Sequence, residues 1–369
     1  MVSERRPRFA VLGGGHGGKT MAAHLALKGF SVNLYKRRSA DLEQLRKEGG
    51  IHLTGAIQGF GKLNLASSNI EEVIDDVDVI MVVVPAHVHK SLAESCAPYL
   101  HDGQIILLNP GRTGGALEFR NILNKNGVTA KVMVAEAQTL VYTCRSAAPT
   151  SSEVFSVKST VPIAAFPASE TESVLKAVTE AYPQFVPATS ILETSLNNFG
   201  AVLHPTLLLL NSGTIQAMQG KFKIYVEGAT AYICKVIETV DKERVNLARA
   251  FNVKTSSVKD WLSQTYGVKG ESLFETLQNN LAYKEIYAPP SLEHRYILED
   301  VPTGLVPFAS LGNAASVPTP TISALVNLAS AMFDTDFGSR GRTVETLGLA
   351  GLGVEEIKQL IMRGHTPRI

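Results

Sequence analysis

The chain has 369 residues, of which 45% are hydrophobic and 19% are charged, and its formal net charge is +1. This profile is that of an ordinary globular protein with two or three domains, and it argues against a nucleic-acid partner or a membrane surface. The three cysteines, Cys96, Cys144 and Cys234, are far apart and match neither a disulfide framework nor a metal-ligand spacing. We therefore expect free thiols, no metal site and a cytoplasmic location.

The first predicted elements are a strand, a glycine-rich turn, a helix and a second strand. An apolar run at 9–12 leads into G-x-G-x-x-G beginning at Gly13, and a second apolar run follows at 30–35. This order is typical of a dinucleotide-binding unit, whose glycines allow a tight turn, the approach of a pyrophosphate and close helix–strand packing. Unpaired N–H groups at the start of the helix favour phosphate. The predicted cofactor contacts in this turn are Gly13, Gly15, His16, Gly17 and Gly18.

The residues after the second strand indicate which dinucleotide is bound. An acid at this point favours NAD, because it bonds the ribose hydroxyls. Here the sequence continues with Lys36, Arg37 and Arg38, and no acid appears before Asp41. Cations suit the 2′-phosphate of NADP. A basic turn exposed to solvent, with no ligand, would have the same sequence. We predict NADP, with NAD as the alternative, and all three cations as its contacts.

Continued alternation of strands and helices predicts a doubly wound parallel sheet. Apolar runs at 77–84, 104–108 and 131–136 are typical of buried parallel strands, and strand-like runs between 154 and 185 are expected to extend the same sheet. Ligands of such sheets bind beyond the carboxyl ends of the strands. The further predicted cofactor contacts at these ends are Pro85, His87, Pro110 and Glu136.

Beyond residue 188 helical periodicity replaces the strand patterns. We therefore predict a dinucleotide-binding Rossmann domain over 1–188 and a helical substrate and dimerisation domain over 189–369. The most apolar run, at 201–210, is shorter than the ~20 residues of a membrane span and contains Pro205. It reads as a buried core helix.

Two polar segments of the helical domain are candidates for chemistry. His204 begins the most apolar helix, where an imidazole can act as a general acid or base, or can be a satisfied core histidine. Arg295 offers a fork for a carboxylate. Asp300 can orient a histidine, and so can Glu299; spacing does not choose between them. The structural alternative for this segment is a surface Arg–acid pair beside a turn.

Long segments in both halves carry a family resemblance. They are AAHLALKGFSV, NPGRTGGALEFR, NNFGAVLHP, RYILEDVPTGLVP, VPTP and DTDFGSRGRTVETLGLAGL. On these segments the chain resembles the opine dehydrogenases, the octopine and nopaline dehydrogenase group, and most of all the bacterial branch acting on N-(1-carboxyethyl)-norvaline. The resemblance implies an N-terminal Rossmann sheet followed by an all-helical, 6-phosphogluconate-dehydrogenase-like domain, in a homodimer.

The resemblance also implies a reaction and roles for residues. The family joins an α-keto acid, often pyruvate, to the amine of an amino acid, and reduces the resulting imine with a nicotinamide cofactor. His204 would be the catalytic acid/base and Asp300 its orienting partner. Arg295 would bind a substrate carboxylate, with Asn198 as a further polar contact. A dicarboxylate product needs cationic anchors, and Arg145 is a second candidate for this role, with a structural salt bridge as its alternative.

Two other functions remain open from the sequence. One is a ketopantoate-type or other 2-hydroxyacid reductase that uses NADP, which shares the architecture but usually relies on a lysine where this chain has His204. The other is a non-catalytic NADP-binding sensor, which would give His204, Arg295 and Asp300 no reason to converge.

Overall fold

The computed structural model describes residues 5–37 and 41–365. By internal contacts the chain forms two compact units. The first runs to Thr194 and also includes Leu360–His365, and the second runs from Ser195 to Gln359. The domain boundary predicted from the sequence, between residues 188 and 189, lies six residues before the boundary between these units. The segment after it stays with the first unit because the Thr194 hydroxyl donates a 2.5 Å hydrogen bond to Oε1 of the buried Glu136.

The first unit contains two sheets. The strands in chain order are β1 (Phe9–Leu12), β2 (Val32–Tyr35), β3 (Gly50–Gly55), β4 (Gly59–Lys62), β5 (Leu65–Ser67), β6 (Val79–Val82), β7 (Ile105–Leu108), β8 (Met133–Ala137), β9 (Tyr142–Ala148), β10 (Ser151–Val157), β11 (Val161–Phe166) and β12 (Phe185–Pro187). Eight of them form the main sheet in the order β12-β11-β8-β7-β6-β1-β2-β5. Every neighbouring pair is parallel except β11 with β8.

The central strands β1, β6 and β7 are buried along their whole length. Their β-branched and aliphatic side chains are covered on both faces of the sheet, as parallel strands with crossover helices require. The predicted parallel sheet is therefore confirmed.

The second sheet was not predicted. It has the order β4-β3-β10-β9, so β10 does not extend the main sheet as expected from the strand pattern at 154–185, whereas β11 and β12 do. β10 belongs to this sheet because it pairs in parallel with β3, which is far away in the sequence, and antiparallel with β9. Its exposed side chains alternate with buried ones such as Val154, as in a sheet with one solvated face.

The helices of the described residues in chain order are α1 (His16–Leu27), α2 (Leu42–Glu48), α3 (Ile70–Ile74), α4 (His89–Cys96), α5 (Gly115–Lys125), α6 (Thr171–Val178), α7 (Ile191–Leu196), α8 (Phe199–Leu210), α9 (Ser212–Met218), α10 (Ala231–Ala250), α11 (Val258–Tyr266), α12 (Leu273–Asn279), α13 (Arg295–Leu298), α14 (Val306–Ala314), α15 (Pro320–Phe333), α16 (Phe337–Arg340) and α17 (Val354–Arg363). A single π-helical turn, Val301–Leu305, lies between α13 and α14. Within 5–37 and 41–365, no helix combines the length and apolar character needed to cross a membrane.

The second unit is helical, as predicted. Its apolar helix α8 is buried along most of its length and carries His204 and Pro205. A fully buried cation, Arg244, is satisfied by Asp241 at 2.7 Å and by the carbonyl oxygens of Leu196 and Ser256. Complete pairing of this kind is what a buried charge requires.

Candidate active site

The glycine turn after β1 has the geometry of a dinucleotide cradle. Gly13 has φ +135°, and a Cβ there would lie 2.2 Å from the carbonyl oxygen of Val83. A Cβ on Gly18 would lie 1.7 Å from the carbonyl oxygen of Gly13, so α1 can approach β1 only with glycine at this position. A Cβ on the exposed Gly15, in contrast, would meet nothing within 4 Å. The open space beside Gly15, at the start of α1, fits an approaching pyrophosphate.

Residues Gly13 to Thr20 also match the phosphate-binding pattern G-x-x-x-x-G-K-T, in which the lysine and the threonine bind a nucleoside triphosphate and its metal ion. In this structure the side chains of Lys19 and Thr20 make other contacts. The Lys19 ammonium donates to the carbonyl oxygen of Ala148 at 2.7 Å, and the Thr20 hydroxyl lies 2.7 Å from the hydroxyl of Ser152. Both side chains are buried and tie α1 to the second sheet, so they do not serve as a nucleoside-triphosphate site.

The other predicted cofactor residues lie along one edge of the main sheet. Leu12, Val82, Leu108 and Glu136 occupy one row across β1, β6, β7 and β8. The segments beyond this row contain the exposed Pro85 and His87 and the half-buried Pro110. The structure thus brings these sequence-predicted residues to the carboxyl edge, where ligands of parallel sheets bind.

Glu136 is the exception to this exposed arrangement, because its side chain is fully buried. Its Oε2 accepts a 2.8 Å hydrogen bond from the backbone N–H of Ala116 in the first turn of α5, and its Oε1 accepts the bond from Thr194. A Cβ on Gly111 would lie 2.4 Å from the Cβ of Glu136. In this structure Glu136 holds α5 and the loop after β7 in place.

The cationic residues after β2 are not equivalent. Lys36 forms an ion pair with Asp41, and its ammonium also lies 3.4 Å from the carbonyl oxygen of Gly14. The hydrogen bond from Lys36 lowers the pKa of the Asp41 carboxyl. The acid that the sequence places five residues further on therefore returns to neutralise the first cation. Arg37 is exposed at the end of β2, and Arg38 lies outside the described residues.

Arg145 lies in the first unit, near the glycine turn. It is an exposed residue of β9, and its charge contributes, after burial and Lys19, to a lowered pKa of His16. The backbone N–H of Ser146 donates a 2.9 Å hydrogen bond to Nδ1 of His16. The structure therefore groups Arg145 with the predicted cofactor residue His16, whereas His204, Arg295, Asn198 and Asp300 belong to the second unit.

His204 and Asp300 form a direct pair. Nδ1 of His204 lies 2.7 Å from Oδ2 of Asp300. The aspartate is fully buried, and 17% of the histidine side chain is exposed. Glu299, the other acid that the sequence offered, pairs instead with Arg295. With Nδ1 engaged, Nε2 is the ring nitrogen left to exchange a proton with a ligand.

Close packing of two elements brings this pair together. A Cβ on Gly304, in the π-helical turn that follows Asp300, would lie 2.4 Å from the Cβ of Ala201. Ala201 precedes His204 by one turn of α8. The missing side chain at Gly304 therefore lets the segment carrying Asp300 approach α8 closely enough for the 2.7 Å bond. Single π turns of this kind occur frequently at functional sites.

Arg295 and Asn198 lie within six residues of the pair in the sequence. Arg295 begins α13, its Nε lies 3.2 Å from Oε2 of Glu299, and 54% of its side chain remains exposed. The Arg–acid pair considered from the sequence is thus present, but its acid is buried and not on the surface. Asn198 is buried before α8, with its amide nitrogen 3.6 Å from the position of a Cβ on Gly304.

Sequence reasoning missed the aromatic surroundings of His204. The Tyr296 ring stacks on the imidazole with centroids 3.8 Å apart and an interplanar angle of 10°. His294 meets the same tyrosine edge-on at 4.6 Å, and burial lowers the pKa of His294, helped by the neighbouring charges of Arg295 and His204. The available signal was spacing: Tyr296 precedes Asp300 by four residues, so a helical segment places both on one face.

A nucleotide-binding sheet combined with a histidine–aspartate pair in a helical unit defines the class as an NAD(P)-dependent dehydrogenase. Family models support each half. Residues 187–333 match the model described as NAD/NADP octopine/nopaline dehydrogenase, alpha-helical domain. Residues 8–115 match the N-terminus of NAD-dependent glycerol-3-phosphate dehydrogenase.

Individual relatives define the family. The chain is 41% identical to an opine dehydrogenase from Arthrobacter sp. (strain 1C) over 96% of this chain and 98% of the relative. It is 25% identical to octopine dehydrogenase from Pecten maximus, over 86% and 88% of the two chains. The chain therefore belongs to the opine dehydrogenase family.

Solved structures share the fold. A structure of octopine dehydrogenase with NADH and L-arginine has a TM-score of 0.81 at 21% identity, covering 98% of this chain and 99% of that one. An NADP+-bound yersinopine dehydrogenase has a TM-score of 0.69 at 16% identity, covering 97% and 98%. The predicted fold and its resemblance to opine dehydrogenases are confirmed.

Proposed function

We propose that the protein reduces the condensation product of an amino acid and an α-keto acid such as pyruvate, with NADPH as the preferred reductant, and that it catalyses the reverse oxidation. The observation that carries this proposal is the bond between His204 and the buried Asp300 in a chain 41% identical to an opine dehydrogenase. Condensation of the ketone with the amine releases water, and reduction of the imine consumes one hydride and one proton. The product is a secondary amine with two carboxylates.

The residues of the second unit supply the proton chemistry. Nδ1–H of His204 donates a hydrogen bond to Asp300, so the imidazolium can donate its Nε2 proton to the reacting group, and the neutral ring can take a proton back at Nε2 in the oxidative direction. A bound nicotinamide supplies the hydride to the imine carbon. Arg295, half exposed, supplies a cation for a substrate carboxylate, and Asn198 and Arg145 are proposed as further contacts.

The reaction is tested by NADPH oxidation with a panel of amino acids against pyruvate, glyoxylate and oxaloacetate. We expect oxidation only when both substrates are present, because the imine rather than the ketone accepts the hydride. Mass spectrometry of the product identifies the new secondary amine. Reduction of a keto acid at full rate without any amine would contradict the proposal and point to a 2-hydroxyacid reductase.

Among the described residues, the proposed preference for NADPH rests mainly on Arg37, because Lys36 is already paired with Asp41. Replacing Arg37 with alanine is expected to weaken NADPH binding about 10-fold, as for loss of a charge-assisted hydrogen bond, and to change NADH binding little. Fluorescence titration with each cofactor measures both effects. Arg249→Ala, at an exposed arginine of α10, makes the same change of charge in the other unit and serves as the control. Equal weakening of both cofactors would show that Arg37 does not contact the 2′-phosphate.

A further inference from the structure

The His204 ring is held in two different ways. Its edge bonds to Asp300 through Nδ1, and its face lies on the Tyr296 ring at 3.8 Å. A single hydrogen bond leaves an imidazole free to swing, because the torsion that turns the ring has a broad energy profile. The face contact removes that freedom and so fixes the direction of Nε2.

Tyr296 is itself enclosed by other aromatic side chains. Tyr225, which is 3% exposed, neighbours it and packs on the Tyr283 ring with centroids 4.5 Å apart. His294 closes the other side by meeting the Tyr296 ring edge-on at an angle of 87°.

We infer that Tyr296 is a positioning residue for His204. Asp300 favours the Nδ1–H tautomer of the neutral imidazole, and Tyr296 holds the ring in the plane in which this bond forms and in which Nε2 points. The arrangement assists catalysis only if His204 moves the proton, and in this respect the inference rests on the proposed function. The effect on the tautomer and orientation of the ring does not depend on the reaction.

The kinetic test separates the ring face of Tyr296 from its hydroxyl. Tyr296→Leu removes the ring face and is expected to lower kcat about 3- to 10-fold, the effect of one lost aromatic contact. The KM values for cofactor and substrates should stay near wild type. Tyr296→Phe keeps the ring face that lies on His204 and should keep most of the wild-type kcat.

The matched control is Tyr283→Leu. The Tyr283 ring packs on Tyr225 with centroids 4.5 Å apart, and its hydroxyl lies 3.3 Å from that of Tyr266. The substitution therefore removes a ring from the same aromatic cluster and leaves the Tyr296 face on His204 in place. We expect wild-type kcat. A loss as large as that of Tyr296→Leu would reduce the role of Tyr296 to general packing and overturn the inference.

A measurement without substrate separates this inference from the proposed reaction. Histidine-selective ¹⁵N NMR of the full chain, with the His204 signals identified by their loss in His204→Ala, reports which ring nitrogen carries the proton. We expect the Nδ1–H tautomer in wild type and a mixture in Tyr296→Leu. If that shift appears while no pair of substrates gives turnover, the proposed function fails and the positioning role stands. An unchanged tautomer in Tyr296→Leu would overturn it.

Discussion

Replacing His204 with alanine is expected to lower kcat by at least about 100-fold, the usual contribution of a positioned general acid or base. The imidazole is the group bonded at 2.7 Å to a fully buried carboxylate, and its Nε2 is available to a ligand. Affinity for NADPH should be largely kept, because the glycine turn belongs to the other unit. Steady-state kinetics and fluorescence titration of the cofactor measure the two quantities separately.

Folding must be controlled in this experiment, because the substitution takes a hydrogen bond from the buried Asp300. Thermal unfolding of His204→Ala, compared with the double variant His204→Ala/Asp300→Asn, shows how much stability is lost when the Asp300 charge loses its bond to His204. His294→Ala is the matched control: it removes an imidazole beside the same Tyr296 ring but leaves the Asp300 bond intact. Its kinetic loss should be far smaller. Full turnover by a folded His204→Ala protein would assign the proton chemistry to another residue.

The main sheet could be predicted because its signals are local. The run before Gly13 and the run at 77–84 are continuous apolar segments, and the glycine spacing fixes the turn between β1 and α1. The second sheet could not be predicted, because β10 pairs with β3, about a hundred residues earlier in the sequence. Strand character at 154 was visible in the sequence, but the identity of its neighbour was not.

The site shows the same division between local and distant information. A histidine in an apolar helix and an acid near residue 300 were both visible, yet spacing left Glu299 and Asp300 equivalent. Which of the two acids pairs with His204 depends on the π turn after Asp300 and on the close approach of Gly304 to Ala201. This approach joins segments about a hundred residues apart. The stacking of Tyr296 on His204 depends on the same approach. No pattern within either segment encodes it.

Charge counting near β2 is incomplete for a related reason. The run from Lys36 to Arg38 reads as a cationic patch, but the chain turns back and pairs Asp41 with Lys36. Whether Lys36 contacts a 2′-phosphate stays a prediction, and the sequence alone did not show this pairing. A prediction of cofactor preference from sequence needs the path of this turn as well as its composition.

Replacing Gly15 with valine is expected to weaken NADPH binding by at least about 100-fold while leaving the fold intact. Gly15 has extended backbone angles that any residue adopts, φ −81° and ψ −169°, and its Cβ would enter open space. The protein itself therefore does not require glycine here. The side chain would instead occupy the space through which the pyrophosphate reaches the N–H groups at the start of α1.

Valine substitutions at two other glycines are the controls for this experiment. Gly18→Val should unfold the nucleotide-binding unit, because its Cβ would lie 1.7 Å from the carbonyl oxygen of Gly13. Gly213→Val, at an exposed position of α9 where a Cβ also meets nothing within 4 Å, should change neither folding nor binding. Circular dichroism melting and cofactor titration of the three variants thus separate a glycine needed by the chain from one needed by the ligand. Wild-type NADPH affinity in folded Gly15→Val would show that the turn does not hold the pyrophosphate.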